Sequence, residues 1–261
     1  MQAPSQRLPR LIELAQRAAR EILSVYATDF TSTVKSDASP VTEADLRADR
    51  VIRAGLQQAF PGVFIWSEES TSQAGTKAPD RFFLVDPLDG TKEFLKRNGE
   101  FTVNIALIEH GAPVAGVVLA PALGELFYAA QGLGAFKAQA DGSGAQPIRC
   151  SAAPDDAPLR VVGSRSHGLG ALDAWLAALK RPHVFTAAGS SLKFCRIAEG
   201  AADVYPRFGP TSQWDTAAGQ CVLEQAGGRV VGPQGQPLRY GLDRPVINPE
   251  FVAWGGLENF I

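Results

Sequence analysis

Phe82-Phe83-Leu84-Val85-Asp86-Pro87-Leu88-Asp89-Gly90-Thr91 changes character midway: four apolar residues run into two carboxylates set around a proline, and a glycine closes the stretch. The apolar half has the length and composition of a short buried strand. Val63-Phe64-Ile65-Trp66 has the same form and runs into Ser67-Glu68-Glu69. Acidic groups thus collect at strand ends. Glu68, Asp86 and Asp89 offer the oxygen donors that a hard divalent cation needs; magnesium takes six at about 2.0–2.1 Å, usually a few carboxylates plus water and phosphate oxygens. The Leu88 carbonyl, between the two aspartates, is a further donor. Gly90 lets the backbone approach closely, and the N–H groups after it can face an anion if a helix begins there. Asp, Pro and Gly are equally the residues of a tight surface turn. By itself the stretch leaves a Pro-containing turn and a cation site both open.

Upstream, Leu8, Leu11, Ile12, Ala15, Ala19, Ile22 and Tyr26 recur at helical spacing. Such a face either packs on the protein's own core or lies on a membrane surface, and the core is the expectation. Thr42-Glu43-Ala44-Asp45 resembles a capping box, followed by Val51, Ile52, Leu56 and Ala59 on one face and stopped by Pro61-Gly62. Downstream, 103–108, 114–119 and 126–129 are apolar runs separated by Gly111-Ala112-Pro113 and Pro121-Ala122-Leu123-Gly124, which predicts an antiparallel meander. Residues 138–158 are rich in Ala, Gly, Ser, Asp and Pro and form the candidate boundary between an N-terminal α+β lobe, 1–150, and a C-terminal α/β lobe, 151–261. In the second lobe strands at 159–162, 184–186 and 204–205 alternate with helices at 171–179, 191–199 and 216–226, the last ended by Gly227-Gly228.

The net charge of −2 argues against a nucleic-acid surface, which would need clustered Lys and Arg. Cys150, Cys195 and Cys221 are odd in number and widely spaced, so inert thiols are expected rather than a zinc site or disulfides. No signal-peptide order and no membrane-length apolar run is evident, which predicts a cytoplasmic protein, with peripheral membrane association and a homodimer both left open.

Asp86 to Thr91 matches the signature D-P-[IL]-D-G-T, and the match extends to Ser67-Glu68-Glu69 and to Trp214-Asp215 ahead of a helix with a Gly-Gly stop. On these blocks the chain resembles the inositol-monophosphatase superfamily of magnesium-dependent, lithium-sensitive phosphatases. The resemblance implies an α/β fold of the sugar-phosphatase type, an αβαβα sandwich with antiparallel and mixed sheets. It also implies two Mg2+ ions, with room for a weaker third near Glu68. Glu68, Asp86 and the Leu88 carbonyl would hold one; Asp86, Asp89 and Asp215 would hold the other, as a two-metal clamp. Asp45 and Thr91 match the family's water-activating pair, although Asp45 at the third helical position also reads as a cap residue. Glu69 matches no ligand position.

Three more blocks, Gly163-Ser164-Arg165-Ser166-His167, Gly189-Ser190-Ser191-Leu192-Lys193 and Tyr205-Pro206-Arg207, resemble the 3′(2′),5′-bisphosphate nucleotidases of the CysQ type. That resemblance implies a nucleoside bisphosphate as the small-molecule partner, bound by Gly90, Thr91, His167, Ser190, Lys193, Arg207 and Asp215. Ser190 and Lys193 are expected at a helix start, where an anion is welcome, and Arg207 offers a planar donor fork. Gln213 departs from the glutamate of many nucleotidases, a change expected to act on the surroundings of Asp215. Residues 94–100 also resemble the nucleotidase pattern and read equally as a polar lid.

Overall fold

The computed structural model describes residues 4–30, 32–34, 40–70, 79–151, 157–164, 169–179 and 181–256. The chain opens with α1 (Pro4–Tyr26), then β1 (Ser32–Val34) and β2 (Pro40–Thr42), an antiparallel pair, with β2 running straight into α2 (Glu43–Ala59). Next come β3 (Phe64–Ser67), β4 (Arg81–Asp89), α3 (Thr91–Leu95), β5 (Thr102–Glu109), β6 (Ala112–Ala120), β7 (Glu125–Ala130), β8 (Gly134–Gln139) and β9 (Gln146–Ile148). Strands β3 to β9 lie in chain order in a seven-stranded sheet, antiparallel throughout except for the parallel β3–β4 pair.

The rest comprises β10 (Leu159–Gly163), α4 (Leu169–Ala178), β11 (His183–Ala187), α5 (Leu192–Ala198), β12 (Val204–Arg207), α6 (Gln213–Gln225), β13 (Arg229–Val231) and β14 (Phe251–Trp254). Its five strands run in the order β11-β10-β12-β14-β13, parallel across β11, β10 and β12 and antiparallel beyond. The meander and the alternating second half are as the apolar runs predict. Residues 138–158 differ from a plain linker, because β9 within them adds the last strand of the first sheet.

Strand alternation builds the layers. On β4, Phe83 and Val85 join a core with Leu11, Leu14, Ala18 and Ile22 of α1 and Ile52 and Leu56 of α2. Phe82 and Leu84 point the other way, into a core shared with Phe194 of α5, Ala217 and Cys221 of α6, Tyr205 of β12 and Phe251 of β14. Beyond the second sheet, Val161, Val204 and Trp254 pack with Trp175 and Leu176 of α4. The stacking is therefore helix pair, sheet, helix pair, sheet, helix: the expected αβαβα sandwich. Burial on both faces explains why β4 to β6 read as continuous apolar runs. Helix α6 lies so close to the first sheet that a Cβ on Gly116 would stand 2.7 Å from the Ala218 carbonyl oxygen.

The apolar face of α1 is covered by the protein's own core, and among the described residues no helix is long and apolar enough to cross a membrane. Cys150, Cys195 and Cys221 are free thiols, the last two buried.

Candidate active site

Asp86 and Asp89 are brought together by a β-bulge. Between the pairs Asp86↔Asn104 and Asp89↔Thr102, β4 advances three residues while β5 advances two. Residues three apart on a regular strand face opposite sides of the sheet. The extra residue cancels that alternation, and both aspartates line one cavity of about 570 Å³. The expectation of a Pro-containing turn is corrected here: the strand continues through Asp89, and Pro87 is tolerated because it sits at a bulge. Gly90 then turns the chain with φ 90 and ψ 43, and α3 begins at Thr91. A side chain at Gly90 would also press on the Glu100 carbonyl oxygen, 3.2 Å from its Cβ.

Glu68 follows β3, whose pairing Ser67↔Val85 sets it beside Asp86 at the same end of the sheet. Asp215 arrives from the other half of the chain, in the first turn of α6, where its Oδ2 accepts the Ser212 N–H at 2.9 Å. Asp89 is clamped through one oxygen: its Oδ2 accepts from the Ser191 N–H at 2.7 Å and from Asn104 Nδ2 at 3.2 Å, with Ser191 Oγ 3.0 Å away. Ser191 Oγ also lies 2.6 Å from the Asp215 carbonyl oxygen, so one serine spans two of the acids. Asp86 is 1% exposed, and its Oδ1 accepts the Leu88 N–H at 3.0 Å.

Burial, followed by the charges of Glu68, Asp89 and Asp215, holds the Asp86 carboxyl well above the usual carboxylate range. Burial and then Asp89 push Asp215 up to about 8. Like charges raise each other in this way when nothing cationic stands between them. The donor set is all carboxylate and carbonyl oxygen, which suits a hard divalent cation such as magnesium. As the side chains stand, no three acidic groups among the described residues close on a single ion-sized point.

Asp45 stands behind Thr91 rather than lining the cavity, and its two carboxylate oxygens are divided between the helix cap and Thr91. Its Oδ2 accepts the Thr42 N–H at 2.7 Å and the Thr42 hydroxyl at 2.6 Å, closing a capping box at the start of α2. Its Oδ1 accepts the Thr91 hydroxyl at 3.3 Å. Burial, the largest influence, raises its pKa.

Lys193 and Arg207 both reach the cavity, but each is partly committed to holding backbone. The Lys193 ammonium donates to the Ser190 carbonyl at 2.7 Å and the Ala188 carbonyl at 3.3 Å, and it lies 5.3 Å from the centre of the Tyr205 ring. Burial, with Arg207 adding to it, lowers Lys193 to about 8. The Arg207 guanidinium donates through Nε to the Gly209 carbonyl at 3.0 Å and through Nη2 to the Pro210 carbonyl at 2.6 Å. The fork is thus partly occupied by backbone and also bonds the Tyr205 side chain, although a guanidinium has five N–H groups in all. Ser190 precedes α5 with φ 43, a backbone setting rare for residues other than glycine. Its buried Oγ has no hydrogen-bond partner among the described residues, and a buried polar atom of that kind can serve a ligand.

Of the sequence-derived site residues, Glu68, Asp86, Leu88, Asp89, Gly90, Thr91, Ser190, Lys193, Arg207 and Asp215 all line the cavity. His167 lies outside the described residues. The Gln213 side chain bonds Gly241 and Pro245. Residues 94–100 are tied down, with the Gly189 N–H donating to Glu100 and Arg97 donating to the carbonyls of Tyr26 and Thr28. Sequence reasoning missed Asn104 and the clamp made by Ser191. The available signal for Asn104 was a lone amide inside the apolar run Val103 to Ile108.

Comparison with known proteins follows the same outline. The model of the inositol monophosphatase family matches residues 4–258. The chain is 46% identical to the 3′(2′),5′-bisphosphate nucleotidase CysQ of Escherichia coli K12 over 94% of its own length and 98% of that protein's. The Salmonella typhimurium CysQ is 47% identical over the same shares. Among solved structures, CysQ from Bacteroides thetaiotaomicron, described as a bacterial member of that family, superposes with a TM-score of 0.82 at 37% identity, covering 97% of this chain and 98% of that one. The Thermotoga maritima inositol monophosphatase gives 0.78 at 28% identity, covering 96% and 92%. With the bulged aspartate pair, the αβαβα layers and these likenesses in agreement, the chain belongs to the inositol monophosphatase family.

Proposed function

We propose that this chain is a 3′(2′),5′-bisphosphate nucleotidase that removes the 3′-phosphate of adenosine 3′,5′-bisphosphate, giving AMP and phosphate, and that also takes 3′-phosphoadenylyl sulfate. The observation that carries this reading is the convergence of Glu68, Asp86, Asp89 and Asp215 with Lys193 and Arg207 in one cavity. Acids alone suit cations and a single phosphate; the added ammonium and guanidinium suit a substrate with a second phosphate. The similarity to the CysQ nucleotidases supports the same choice over an inositol phosphate.

Two magnesium ions belong to the proposal, with a weaker third beside Glu68. Glu68, Asp86 and the Leu88 carbonyl would hold one, and Asp86, Asp89 and Asp215 the other. When bound, they supply positive charge to the phosphoryl oxygens and to the attacking and leaving oxygens. The chain's own residues do the rest. The Thr91 hydroxyl donates a hydrogen bond to Asp45 Oδ1, which leaves its oxygen lone pairs to accept a proton from the attacking water as the hydroxyl proton passes to Asp45. The raised pKa of Asp45 makes it a better final acceptor. As the water oxygen bonds to phosphorus, the bond from phosphorus to the ribose 3′ oxygen breaks, and that oxygen takes a proton from solvent to leave as the hydroxyl of AMP. Ser190 Oγ, Lys193 and the remaining donors of Arg207 orient the substrate. His167 is assigned to the second phosphate or the ribose.

A lobe of residues 1–150 would carry Asp45, Glu68, Asp86, Asp89 and Thr91, and a lobe of residues 151–261 the substrate groups and Asp215. The proposed setting is the cytoplasm, with a diffusible nucleotide as partner. Steady-state rates with adenosine 3′,5′-bisphosphate and inositol 1-phosphate in magnesium test the substrate; preference for the inositol ester would overturn it. Asp89→Asn tests the chemistry, since full activity in a folded variant defeats the metal assignment.

A further inference from the structure

Beside its acids and cations, the cavity has aliphatic lining. Val246 and Ile247 line it beside Pro210 and Thr211. Ile247 is 49% exposed, a large aliphatic side chain half open to water at the edge of a charged cavity.

The segment that presents these two residues, 241–248, is fastened to the start of α6. The Gln213 N–H donates to the Val246 carbonyl at 2.9 Å, and the Asn248 N–H donates to the Thr211 carbonyl at 2.8 Å. The Asn248 amide donates to the Ser212 carbonyl at 2.7 Å. Gln213, 1% exposed, makes the most demanding attachment. Its Oε1 accepts the Gly241 N–H at 2.9 Å, while its Nε2 donates to the Gly241 carbonyl and to the Pro245 carbonyl, each at 2.9 Å. A backbone N–H on one side and two carbonyls on the other admit only one orientation of the amide, and they use both of its protons. A glutamate carboxylate could accept the Gly241 N–H but would set an oxygen against both carbonyls. The amide thus fixes the aliphatic wall relative to Asp215, two residues further along the same helix.

We propose that Val246 and Ile247 form the subsite for the substrate's nucleobase, with Ile247 as a specificity-determining contact and Gln213 as the positioning residue that sets the wall. This rests on the nucleoside bisphosphate reading. The base is the one large apolar face of such a substrate, and an aliphatic surface beside it removes water from both. Lys193 and Arg207 attract the phosphates, and among the large hydrophobic side chains that line the cavity Ile247 is the exposed one, open to the ring.

The test compares kcat and KM for adenosine 3′,5′-bisphosphate and for glycerol 2-phosphate, which has no base, in magnesium. Ile247→Ser raises KM for the bisphosphate roughly tenfold with kcat little changed, and the ratio of the two specificity constants falls by the same factor. Ile247→Leu restores the ratio. Gln213→Glu lowers it in the same direction. Leu133→Ser, at a 46% exposed position outside the cavity, leaves it unchanged. An Ile247→Ser variant that shifts both substrates alike, or that keeps the wild-type KM for the bisphosphate, overturns the subsite while leaving the nucleotidase reading intact. Wild-type preference for glycerol 2-phosphate would sink that reading and the subsite with it. Should Gln213→Glu fail to fold, the partly exposed Ile247 still decides.

Discussion

Helices α2 and α6 begin with the same local device and put it to different uses. Each starts after a hydroxyl residue, Thr42 or Ser212, and each carries an aspartate at the third helical position that accepts the backbone N–H of that residue. Asp45 then meets hydroxyls: Thr42 on Oδ2 and Thr91 on Oδ1. Asp215 meets carboxylates, with Asp89 and Glu68 both raising its pKa and no donor among the described residues reaching its Oδ1. An aspartate ringed by hydroxyls is placed to pass a proton; one pressed against other acids is placed to share a cation. The capping motif mounts the group, and the distant chain decides its chemistry.

The comparison breaks most visibly at Asp215. Asp215→Asn is expected to lower kcat by roughly 10³-fold or more, the scale on which a preorganised charge-stabilising group is lost. It should also raise the magnesium concentration needed for half activity. Without divalent cation and above about pH 8, where the buried Asp215 carboxyl is ionised, the same variant should melt at a higher temperature than the wild type, because a charge among like charges has been removed. A variant with wild-type magnesium dependence would show that Asp215 is a cap and nothing more.

At Asp45 the expected loss is smaller and of another kind. Asp45→Asn removes the proton acceptor behind Thr91 and should reduce kcat by roughly 10²-fold, within the range for general base catalysis. Half-saturation by magnesium should stay near the wild-type value, as measured by rates across a magnesium titration. A parallel shift in magnesium affinity would erase the distinction between the two helix starts.

The layered fold was legible because its causes are local. Phe82 to Val85 alternate between two cores, and the helical spacing of Leu8 to Tyr26 marks a face to be buried. The candidate ligands were legible through the Asp86 to Thr91 signature. The bulge was not, since it is a mismatch of register between β4 and β5 and exists only when the two strands are paired. The Ser191 clamp on Asp89 joins residues 102 positions apart, and nothing near either one announces it. The carbonyls that Lys193 and Arg207 hold were not legible either, because they depend on how the loops fold back.

Acidity separates the two helix starts further. The Asp215 carboxyl rises from an ordinary 3.8 to about 8 on folding. A group raised on folding contributes stability that is fully present below about 3.8 and is lost as pH climbs through about 8. Between those values each pH unit costs at most about 1.4 kcal/mol. Melting in the absence of divalent cations should therefore fall by several degrees from pH 6 to pH 8, at roughly 2–4 °C per kcal/mol for a chain of this size. Saturating magnesium should flatten the curve by replacing the proton as the partner of the acids. A melting temperature that rises over this range without metal would contradict the crowding of charge around Asp215.

The smallest effect lies in the caps themselves. Thr42 serves α2 with its side chain, which accepts the Ala44 N–H at 3.2 Å and donates to Asp45. Thr42→Ala should thus cost about 1–2 kcal/mol of stability, toward the upper part of the capping range. It also frees Asp45 Oδ2 from one of its two donors, so some activity should go with the stability. The Ser212 bond to Asp215 comes from the backbone N–H, which alanine keeps. Ser212→Ala should accordingly cost less than about 1 kcal/mol and leave kcat close to wild type. Denaturant melts of the two variants read the difference directly. Equal losses would mean that the two helix starts are held alike, and that the separation of Asp45 from Asp215 rests on their acid and hydroxyl neighbours alone.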